Sequence, residues 1–266
     1  MSSILQPIIS SVKHKGLLAG FVRRELKGRF AGTIAGLFWA FLNPLAMMLA
    51  YLMVFSVIMR MQVQADEVGT DSFWVFFLTG LFPWLIFSDG LNRATGVLVD
   101  NANLITKVVF PVELLPVSSV ISSLVINGIG MIIFLAYLAF INYSDIIWLM
   151  IPLVMAAQIV FTLGLAMFLS ALCVFIRDVR ELMGIVIMLW FFSTPILYPL
   201  SFIPQSLAKF IKLNPITWYV QVYREILLLN EFNPLTLLPI VLTSLCVYTF
   251  GTWFFMRSRP GFGDVL

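Results

Sequence analysis

The charged residues of the chain leave six long segments without any charge. These segments run from 30 to 59, 72 to 88, 114 to 144, 146 to 176, 182 to 208 and 232 to 256. A helix needs roughly 20 predominantly apolar residues to cross a bilayer, and about 17 is the practical minimum. Each segment meets that minimum, and a charge at the bilayer centre would cost on the order of 3 kcal/mol. The pattern predicts an all-α polytopic membrane protein with six transmembrane helices in a single domain.

The composition supports a membrane protein and the pattern argues against a β-barrel. Of the 266 residues, 61% are hydrophobic and 11% are charged, and the mean hydropathy is +1.02. A soluble domain usually has about 25% charged residues. A membrane barrel would instead alternate apolar and polar residues over strands of about ten positions, and the long unbroken apolar runs do not alternate in this way.

The basic residues predict which side of the membrane holds the termini. Lys13, Lys15, Arg23, Arg24, Lys27, Arg29, Arg93, Lys107, Arg177, Arg180, Arg257 and Arg259 fall on one side of the predicted spans. Arg60, Lys209, Lys212 and Arg224 fall on the other. Short loops rich in Lys and Arg stay in the cytoplasm. We therefore predict a cytoplasmic N-terminal segment (1–31), six spans (32–256) and a cytoplasmic tail (257–266), and the positive charge is no sign of nucleic-acid binding.

The basic segment before the first span has the pattern of an interface helix that lies flat on the membrane. The apolar face consists of Leu18, Val22, Leu26 and Phe30, and another face carries the basic residues Arg23, Arg24 and Lys27. Glu25 and Arg29 fall among the apolar positions, at the spacing of a favourable ion pair. A signal peptide would have a shorter apolar core. The alternative is a positive-inside anchor and nothing more.

Two charged stretches on the predicted cytoplasmic side are candidates for coupling to a partner. Between spans 2 and 3, apolar residues from Ala94 to Val108 follow helical spacing and predict a short amphipathic surface helix. Its polar candidates are Asp100, Asn101, Asn103 and Lys107. Between spans 4 and 5 the sequence IRDVRE supplies Arg177, Asp178, Arg180 and Glu181. Ordinary membrane-facing loops remain the alternative for both stretches.

Prolines divide the region after the fifth predicted span. Pro195 and Pro199 should kink or end the helix, and Pro204 and Pro215 then divide a segment that is too apolar for an ordinary loop. We expect short helices that dip into the outer leaflet. Such re-entrant helices need protein or water around them, so they could cover a pore.

The sequence lacks the motifs of an enzyme or an ion-coupled pump. No Gly is followed by Lys, so the phosphate-binding GK[ST] loop is absent. His14 is the only histidine, and no metal-ligand pattern is present. The nearest carboxylates, Asp89, Glu113 and Asp145, fall at the ends of uncharged segments, whereas proton relays place ionisable groups inside the membrane. We expect no catalytic residue, no metal and no cofactor in this chain, and energy supplied by another protein.

Aromatic residues make up 15% of the chain. Clusters such as Phe73 to Phe77 and Trp190 to Phe192 are usually explained by lipid contact. The alternative is a channel lining, because ring faces can stack on sugars while Trp and Tyr keep a polar edge.

Taken in order, several stretches resemble one family over nearly the whole chain. They are RRELKGRFAGTIAGLFWAFLNPL, VFSVIM, GLFPWLIFSDGL, NANLITKVVFP, FIRDVREL, FFSTPILYP and NPITWYVQVYREILL. The sequence resembles the permease subunit of ATP-driven exporters of bacterial surface polysaccharides, the O-antigen, capsule and teichoic acid group. RFAGTIAG with LNPL is most similar to the O-antigen branch.

The resemblance implies a homodimer in the bacterial inner membrane with two copies of a separate ATPase, which would bind ATP and Mg²⁺. It implies export of an undecaprenyl-diphosphate-linked polymer through a channel lined by spans 1 and 5. The channel candidates on these spans are Phe38, Trp39, Asn43, Tyr51, Trp190, Phe191, Thr194 and Tyr198. It also implies a periplasmic gate, with the candidates Phe202, Ile203, Phe210, Trp218 and Tyr219. The competing functions are an ATP-driven exporter of a drug or lipid, and a polyprenyl-lipid transferase, which would need a cluster of polar catalytic residues.

Overall fold

The described part of the chain is built from helices. A computed structural model describes residues 2–29, 32, 38–39, 42, 46, 49–51, 53–60, 63–141 and 143–266. Its α-helices of six residues or more are α1 (Ser2–Lys13), α2 (Lys15–Gly28), α3 (Phe73–Asp100), α4 (Ala102–Lys107), α5 (Leu114–Phe140), α6 (Ile151–Phe175), α7 (Val179–Phe192), α8 (Gln205–Leu213), α9 (Pro215–Arg224) and α10 (Pro234–Ser258). No strand occurs within these described ranges, in agreement with the predicted all-α class.

Among the described residues, four helical stretches are long and apolar enough to cross a membrane. They are Ala65–Asp100, Leu114–Phe140, Ile146–Phe175 and Pro234–Val265. They contain α3, α5, α6 and α10 and coincide with the second, third, fourth and sixth uncharged segments. The chain is therefore an integral membrane protein. The first predicted span, 30–59, lies partly outside the described residues.

The fifth uncharged segment, 182–208, is not one continuous helix. Helix α7 ends at Phe192, and residues 193–199 are non-helical. Its 14 residues span about 21 Å at 1.5 Å per residue, which is less than the bilayer core of about 30 Å. The break contains Pro195 and Pro199, so the prediction that these prolines end the helix is confirmed. Two short helices, α8 and α9, follow before α10 begins.

The prediction of a separate surface helix from Ala94 to Val108 is wrong. Helix α3 instead continues to Asp100, and the short helix α4 follows after Asn101. Ala94 and Leu98 have no exposed surface, because the apolar face that the periodicity detects packs inside the bundle.

The tightest helix pair in the bundle is α6 with α10. A side-chain carbon added to Gly164 would lie 2.6 Å from the backbone of Tyr248, and one added to Gly251 would overlap the carbonyl oxygen of Gly164. Small residues let membrane helices approach this closely. Helix α3 lies beside this pair and contacts α5, α6, α7 and α9, so it forms the centre of the bundle.

The predicted interface helix is helical. Of its predicted apolar face, Leu18, Val22 and Leu26 are half-buried, and Phe30 lies outside the described residues. Helix α2 packs against α5, and Phe21 is 8% exposed with its ring edge-on to Phe110 at 5.6 Å between centroids. A more exposed apolar face lies on the preceding helix α1 and consists of Leu5, Ile8, Ile9 and Val12. Contact of either helix with a membrane surface stays a prediction.

Both chain termini lie at the same end of the bundle, which we call the terminal end. Ser10 of α1 donates a hydrogen bond of 2.6 Å to Glu113 Oε1, just before α5. Arg259, just after α10, has Nη1 at 3.4 Å from Glu113 Oε2. The Glu113 carboxylate is fully buried, and it ties the first helix, the start of α5 and the chain's last segment together.

Candidate functional site

A polar cavity opens at the terminal end between α2, α3, α5 and the start of α7. Its volume is about 730 Å³. It is lined by Phe21, Arg24, Glu25, Gly28, Arg29, Asp89, Asn92, Arg93, Gly96, Val97, Asp100, Asn101, Leu115, Ser118, Ser119 and Arg180. We call it the terminal cavity. Four arginines and three carboxylates in one cavity make it the strongest concentration of charge in the described bundle.

Asp89 is the centre of the cavity's charge network. Its Oδ2 accepts a bond of 2.7 Å from Arg29 Nη2, and its Oδ1 accepts one of 2.9 Å from Arg93 Nε. The amide of Asn127, on α5, lies 3.4 Å from Oδ2. Asp89 follows the uncharged segment and lies within α3, which continues eleven residues further, to Asp100. A carboxylate with two cationic partners can be kept charged inside the bundle.

The predicted pair between Glu25 and Arg29 does not form. Arg29, whose side chain is 4% exposed, pairs with Asp89 instead. Glu25 accepts hydrogen bonds from the hydroxyls of Ser119 (3.4 Å) and Ser122 (3.3 Å) on α5. Burial raises the pKa of the Glu25 carboxyl, although the positive charges of Arg29 and Arg93 oppose that change. The structure thus joins α2 to both α3 and α5 through buried polar contacts.

Three separate regions of the sequence meet at the outer rim of the cavity. Arg180, at the start of α7, donates a bond of 2.6 Å to Asp100 Oδ1 at the end of α3. Arg24 of α2 donates a bond of 2.6 Å to Asn101 Oδ1. Gly96 leaves room for the Arg180 guanidinium, since an added side-chain carbon would lie 3.1 Å from it.

The structure therefore brings together only part of the predicted coupling set. Asp100, Asn101 and Arg180 meet at the rim. The other candidates are exposed and do not line the cavity: Asn103, Lys107, Arg177, Asp178 and Glu181. Of the predicted interface-helix set, Arg24 and Arg29 line the cavity, whereas Arg23 and Lys27 are exposed outside it.

A second polar cluster, far along α7 from the cavity, connects α7 to α9. Asn214 caps α9 by accepting from the backbone N–H of Ile216 at 3.0 Å. The same Oδ1 accepts from Trp190 Nε1 at 2.8 Å, and Asn214 Nδ2 donates to Thr194 Oγ1 at 3.0 Å. The side-chain amide of Asn214 therefore connects the end of α7, the non-helical segment after it and the first turn of α9.

Arg224, one of the basic residues on the predicted non-cytoplasmic side, is buried at the end of α9. It is 9% exposed. Its guanidinium donates to the carbonyl oxygens of Pro195 (2.7 Å), Ile196 (3.1 Å) and Phe76 (3.3 Å). It also lies 3.6 Å above the centroid of the Phe76 ring, a cation–π geometry. The carbonyls left unpaired by the break after α7 thus find a charged donor.

The family follows from comparison with known sequences. Residues 17–228 match the pattern of the ABC-2 type transporter family. This range contains both polar clusters and most of the bundle. The chain belongs to the ABC-2 type transporter family. Membership confirms the prediction of a transport subunit of an ABC transporter, in which a partner protein supplies the ATPase.

The relatives of this ABC-2 chain are named for polysaccharide export. The O-antigen export system permease protein RfbA of Myxococcus xanthus is 35% identical over 217 residues, which cover 80% of this chain and 81% of that protein. RfbA of Klebsiella pneumoniae is 28% identical over 94% of this chain and 95% of that protein. The polysialic acid transport protein KpsM of Escherichia coli is 26% identical over 76% of this chain and 77% of that protein. The resemblance seen in the sequence is confirmed at the level of this family.

The predicted channel residues of this ABC-2 chain fall into different environments. Tyr51 and Phe191, from the first and fifth predicted spans, are in contact at 5.6 Å between ring centroids. Phe191 is buried against Trp84, and Trp190 and Thr194 are bonded to Asn214. Phe38 and Trp39 are exposed. The hydroxyl of Tyr198 donates to the Phe192 carbonyl. Asn43 lies outside the described residues.

The aromatic residues of α3 are core residues rather than lipid anchors. Phe73, Phe76, Phe77 and Trp84 are all buried. The rings of Phe73 and Phe77 stack at 6.2 Å with an interplanar angle of 2°. The usual lipid-contact explanation is therefore wrong for this cluster, because α3 lies at the centre of the bundle.

The predicted gate residues also separate into two groups. Phe202 and Phe210 are exposed by 57% and 72%, and Ile203 and Trp218 are half-buried. Tyr219 is 1% exposed, and its hydroxyl shares a hydrogen bond of 2.5 Å with Ser244 of α10. Tyr219 therefore anchors α9 to the bundle.

Sequence reasoning missed the residues that join the elements. Asn214 carries a usable signal, because an Asn before Pro215 is a common start of a helix. Asp89 carries only the i, i+4 spacing to Arg93, and its bond to Arg29 has no local signal. Arg224 carries no signal, since its partners are backbone carbonyls. The exposed side of α7 is mainly aliphatic and was also missed. It consists of Leu182, Ile185, Val186, Met188, Leu189 and Phe192.

Proposed function

We propose that the chain is the transmembrane subunit of an ATP-driven exporter of lipid-linked polysaccharide, with O-antigen as the substrate class. The observation that carries the proposal is the 35% identity to an O-antigen export permease over 80% of this chain. Similarity to capsule export proteins points to the same class of cargo.

We propose six spans, a homodimer and two copies of the partner ATPase, with the terminal end in the cytoplasm of the bacterial cell. The four helices described above and the basic residues of the terminal end support this arrangement. The first span would come from 30–59, and α7 with the break after it would form the fifth. Reporters after Asn103, Arg180 and Leu266 should then be cytoplasmic, and those after Asp66 and Asp145 periplasmic; a periplasmic signal at Arg180 would contradict it.

We propose that the rim of the terminal cavity couples ATP hydrolysis to transport. Asp100 and Arg180 belong to two different predicted contact regions, and their 2.6 Å ion pair connects these regions. Both side chains are about half exposed, so the pair should stabilise the fold by only about 0.2–1 kcal/mol. Asn103, Lys107, Arg177, Asp178 and Glu181 are exposed around it and remain candidates for direct contact with the ATPase.

We expect charge reversal at this pair to uncouple the transporter without unfolding it. Asp100→Arg or Arg180→Asp should each reduce export several-fold, while the thermal unfolding temperature changes little. The double exchange should restore much of the export, because it rebuilds the pair in the opposite order. ATP hydrolysis and export are measured together on the complex with its ATPase. Normal export in both single variants would exclude the role.

We propose that the channel runs along the exposed side of α7, with Phe192 as the aromatic residue nearest its outer end. A sugar carries several hydroxyls, and the burial of each without a partner costs a few kcal/mol. The channel must therefore be open enough to keep these hydroxyls hydrated, and its wall must bind the polymer weakly enough for the polymer to slide. Trp190, Phe191, Thr194 and Tyr198 would support this wall from behind, and Phe202 and Phe210 would face the outer opening as gate residues.

The proposed function is tested in a strain that lacks the gene for this chain. Loss of surface O-antigen, with accumulation of lipid-linked polymer inside the cell, is the expected result. Restoration should require both this chain and an ATPase partner with an intact nucleotide site. Normal surface polysaccharide with a changed drug resistance or lipid composition would favour the rival exporter.

A further inference from the structure

A polar pocket lies at the end of the bundle opposite the terminal end, where α3 and α10 begin and α7 ends. We call it the outer pocket, and its volume is about 230 Å³. Its lining includes Glu67, Pro199, Leu200, Gln221, Arg224 and Glu225. We propose that the outer pocket binds one neutral sugar ring. The chemistry of this ligand follows from the pocket alone, and its assignment to the exported polymer rests on the proposed function.

Three distant parts of the chain enclose the outer pocket. They are a short helix (Ala65–Val68), the non-helical segment after α7, and a π-helix (Glu225–Leu229) that follows α9. The first is packed closely on the third, because a side-chain carbon added to Gly69 would lie 2.5 Å from the carbonyl oxygen of Leu228. π-helices are rare and occur frequently at functional sites. One wall of the pocket thus has the backbone geometry that is typical of a binding site.

Two charged groups of the outer pocket keep hydrogen-bonding capacity that the described protein does not use. The Nε of Arg224 and the Oε2 of Glu225 are buried without a hydrogen-bond partner among the described residues. In the same part of the chain, neither side chain takes part in an ion pair. Burial raises the pKa of the Glu225 carboxyl, and the negative charge of Glu231 raises it further. Because buried polar atoms without partners are costly, a ligand that offers both a donor and an acceptor would stabilise this arrangement.

The mixture of donors and acceptors favours a neutral ligand with several hydroxyls. A guanidinium only donates, a carboxylate only accepts, and a hydroxyl does both. Glu67 and Glu225 repel an anion, and the buried Arg224 repels a cation. Gln221, four residues before Glu225, adds an amide that both donates and accepts. Neighbouring hydroxyls of one sugar ring can therefore bond Arg224 and Glu225 together.

The size and position of the outer pocket suit one ring of a polymer. Drug-sized ligands occupy about 300–1,000 Å³, so a pocket of about 230 Å³ suits a smaller molecule such as a hexose. Pro199 and Leu200 supply apolar groups that can contact the C–H groups of the ring. A second cavity, of about 450 Å³, shares Glu67 and Pro199 with the outer pocket and reaches the gate candidate Phe202. The pocket would thus hold a sugar beside the proposed outer opening of the channel.

The test measures sugar binding to the full chain in nanodiscs of phosphatidylcholine, without ATPase and without transport. Saturation-transfer NMR is recorded with the methyl glycosides of glucose, mannose and galactose, and with glucuronate and glucosamine. We expect at least one neutral glycoside to bind with a Kd of about 1 mM, and both charged sugars to bind more weakly. Absence of binding by all three neutral glycosides, or tighter binding of a charged sugar than of every neutral one, overturns the proposal.

Variants of the pocket identify where the glycoside binds. Glu225→Ala and Gln221→Leu should each weaken binding about tenfold, because each removes a hydrogen-bonding group from the lining. Glu225→Gln, which keeps an acceptor oxygen, should retain intermediate affinity. Glu231→Ala is the matched control, since it removes the same charge at an exposed position outside the lining, and it should bind normally.

Two results with these variants would contradict the site. Wild-type affinity in both Glu225→Ala and Gln221→Leu would place the sugar elsewhere, and an equal loss in Glu231→Ala would show that the effect is not local. Thermal unfolding of each variant in the nanodisc checks that it is folded. Because the two pocket variants change different helices, a folding defect in one leaves the other as the test.

Competition identifies the source of the sugar. O-antigen polysaccharide purified from the same strain should displace the bound glycoside, and absence of displacement would assign the pocket to a free sugar and overturn its assignment to the polymer. If only this inference is wrong, the wild-type complex exports polysaccharide while the chain binds no glycoside in the pocket. If the proposed function is wrong, glycoside binding can persist while polysaccharide export is absent.

Discussion

Gly251→Ala is expected to destabilise the protein by about 3 kcal/mol, the upper end of the usual cost of overpacking a core. The added methyl group would fall on the carbonyl oxygen of Gly164, well inside the 3.0 Å that real contacts of this kind respect. That oxygen belongs to the backbone of α6 and cannot rotate away, so α6 and α10 must separate along their closest contact. The measurement is the thermal unfolding temperature of the purified chain in detergent.

Gly128→Ala supplies the matched control for this prediction. Gly128 lies in α5, and a side-chain carbon added there would meet nothing within 4 Å. The same chemical change should leave stability unchanged or raise it slightly, because Ala favours the helix over Gly by up to about 1 kcal/mol. Equal unfolding temperatures for the Gly251 and Gly128 variants would show that the contact between α6 and α10 is looser than the structure indicates.

Arg224→Met is expected to release the non-helical segment 193–199, which follows α7, from its contacts with the rest of the bundle. We expect this change to abolish export. The substitution keeps an apolar stem but removes the donor to the carbonyls of Pro195, Ile196 and Phe76. Hydrogen bonds to charged groups contribute about 1.5–3 kcal/mol each, and buried acceptors without partners add to the loss. We expect the free energy of unfolding to fall by about 3 kcal/mol or more. We also expect a protease to cleave the variant between residues 193 and 204, where the wild type resists cleavage.

Lys209→Met is the control for the buried arginine. Lys209 is exposed on α8, and its loss should change neither protease resistance nor export. Arg224→Lys should have a protease resistance between that of Arg224→Met and that of the Lys209→Met control. An ammonium group keeps the charge, but it lacks the planar fork that reaches three carbonyls. Wild-type protease resistance in Arg224→Met would rule out an anchoring role for this residue.

The uncharged segments were sufficient to predict the class of protein and most of its long helices. Keeping charges out of the bilayer is a constraint that acts on each segment separately, so it can be recognised without knowing the fold. The segments 114–144, 146–176 and 232–256 accordingly became α5, α6 and α10. The end of α7 before Pro195 was also predictable, because a proline blocks the helix wherever the chain goes next.

The periodicity of apolar residues gave wrong predictions where an apolar helix face could contact either lipid or protein. The pattern from Ala94 to Val108 was interpreted as a helix on the membrane surface, and the structure continues α3 through half of it. Lipid contact was the usual explanation for Phe73 and Phe77 for the same reason. Lipid and protein interior are equally apolar, so hydropathy cannot decide which of them a side chain meets.

The sequence by itself determined that this is a helical membrane protein of an export family, with its basic ends on one side. Only the tertiary structure decided which polar residues work together. Asp89 pairs with Arg29 across 60 residues of chain, and Arg180 with Asp100 across 80. Arg224 finds its acceptors in backbone carbonyls, which leave no mark on residue identity. A charge inside a membrane protein is tolerated because of the partner that reaches it, and that partner is set by helix packing.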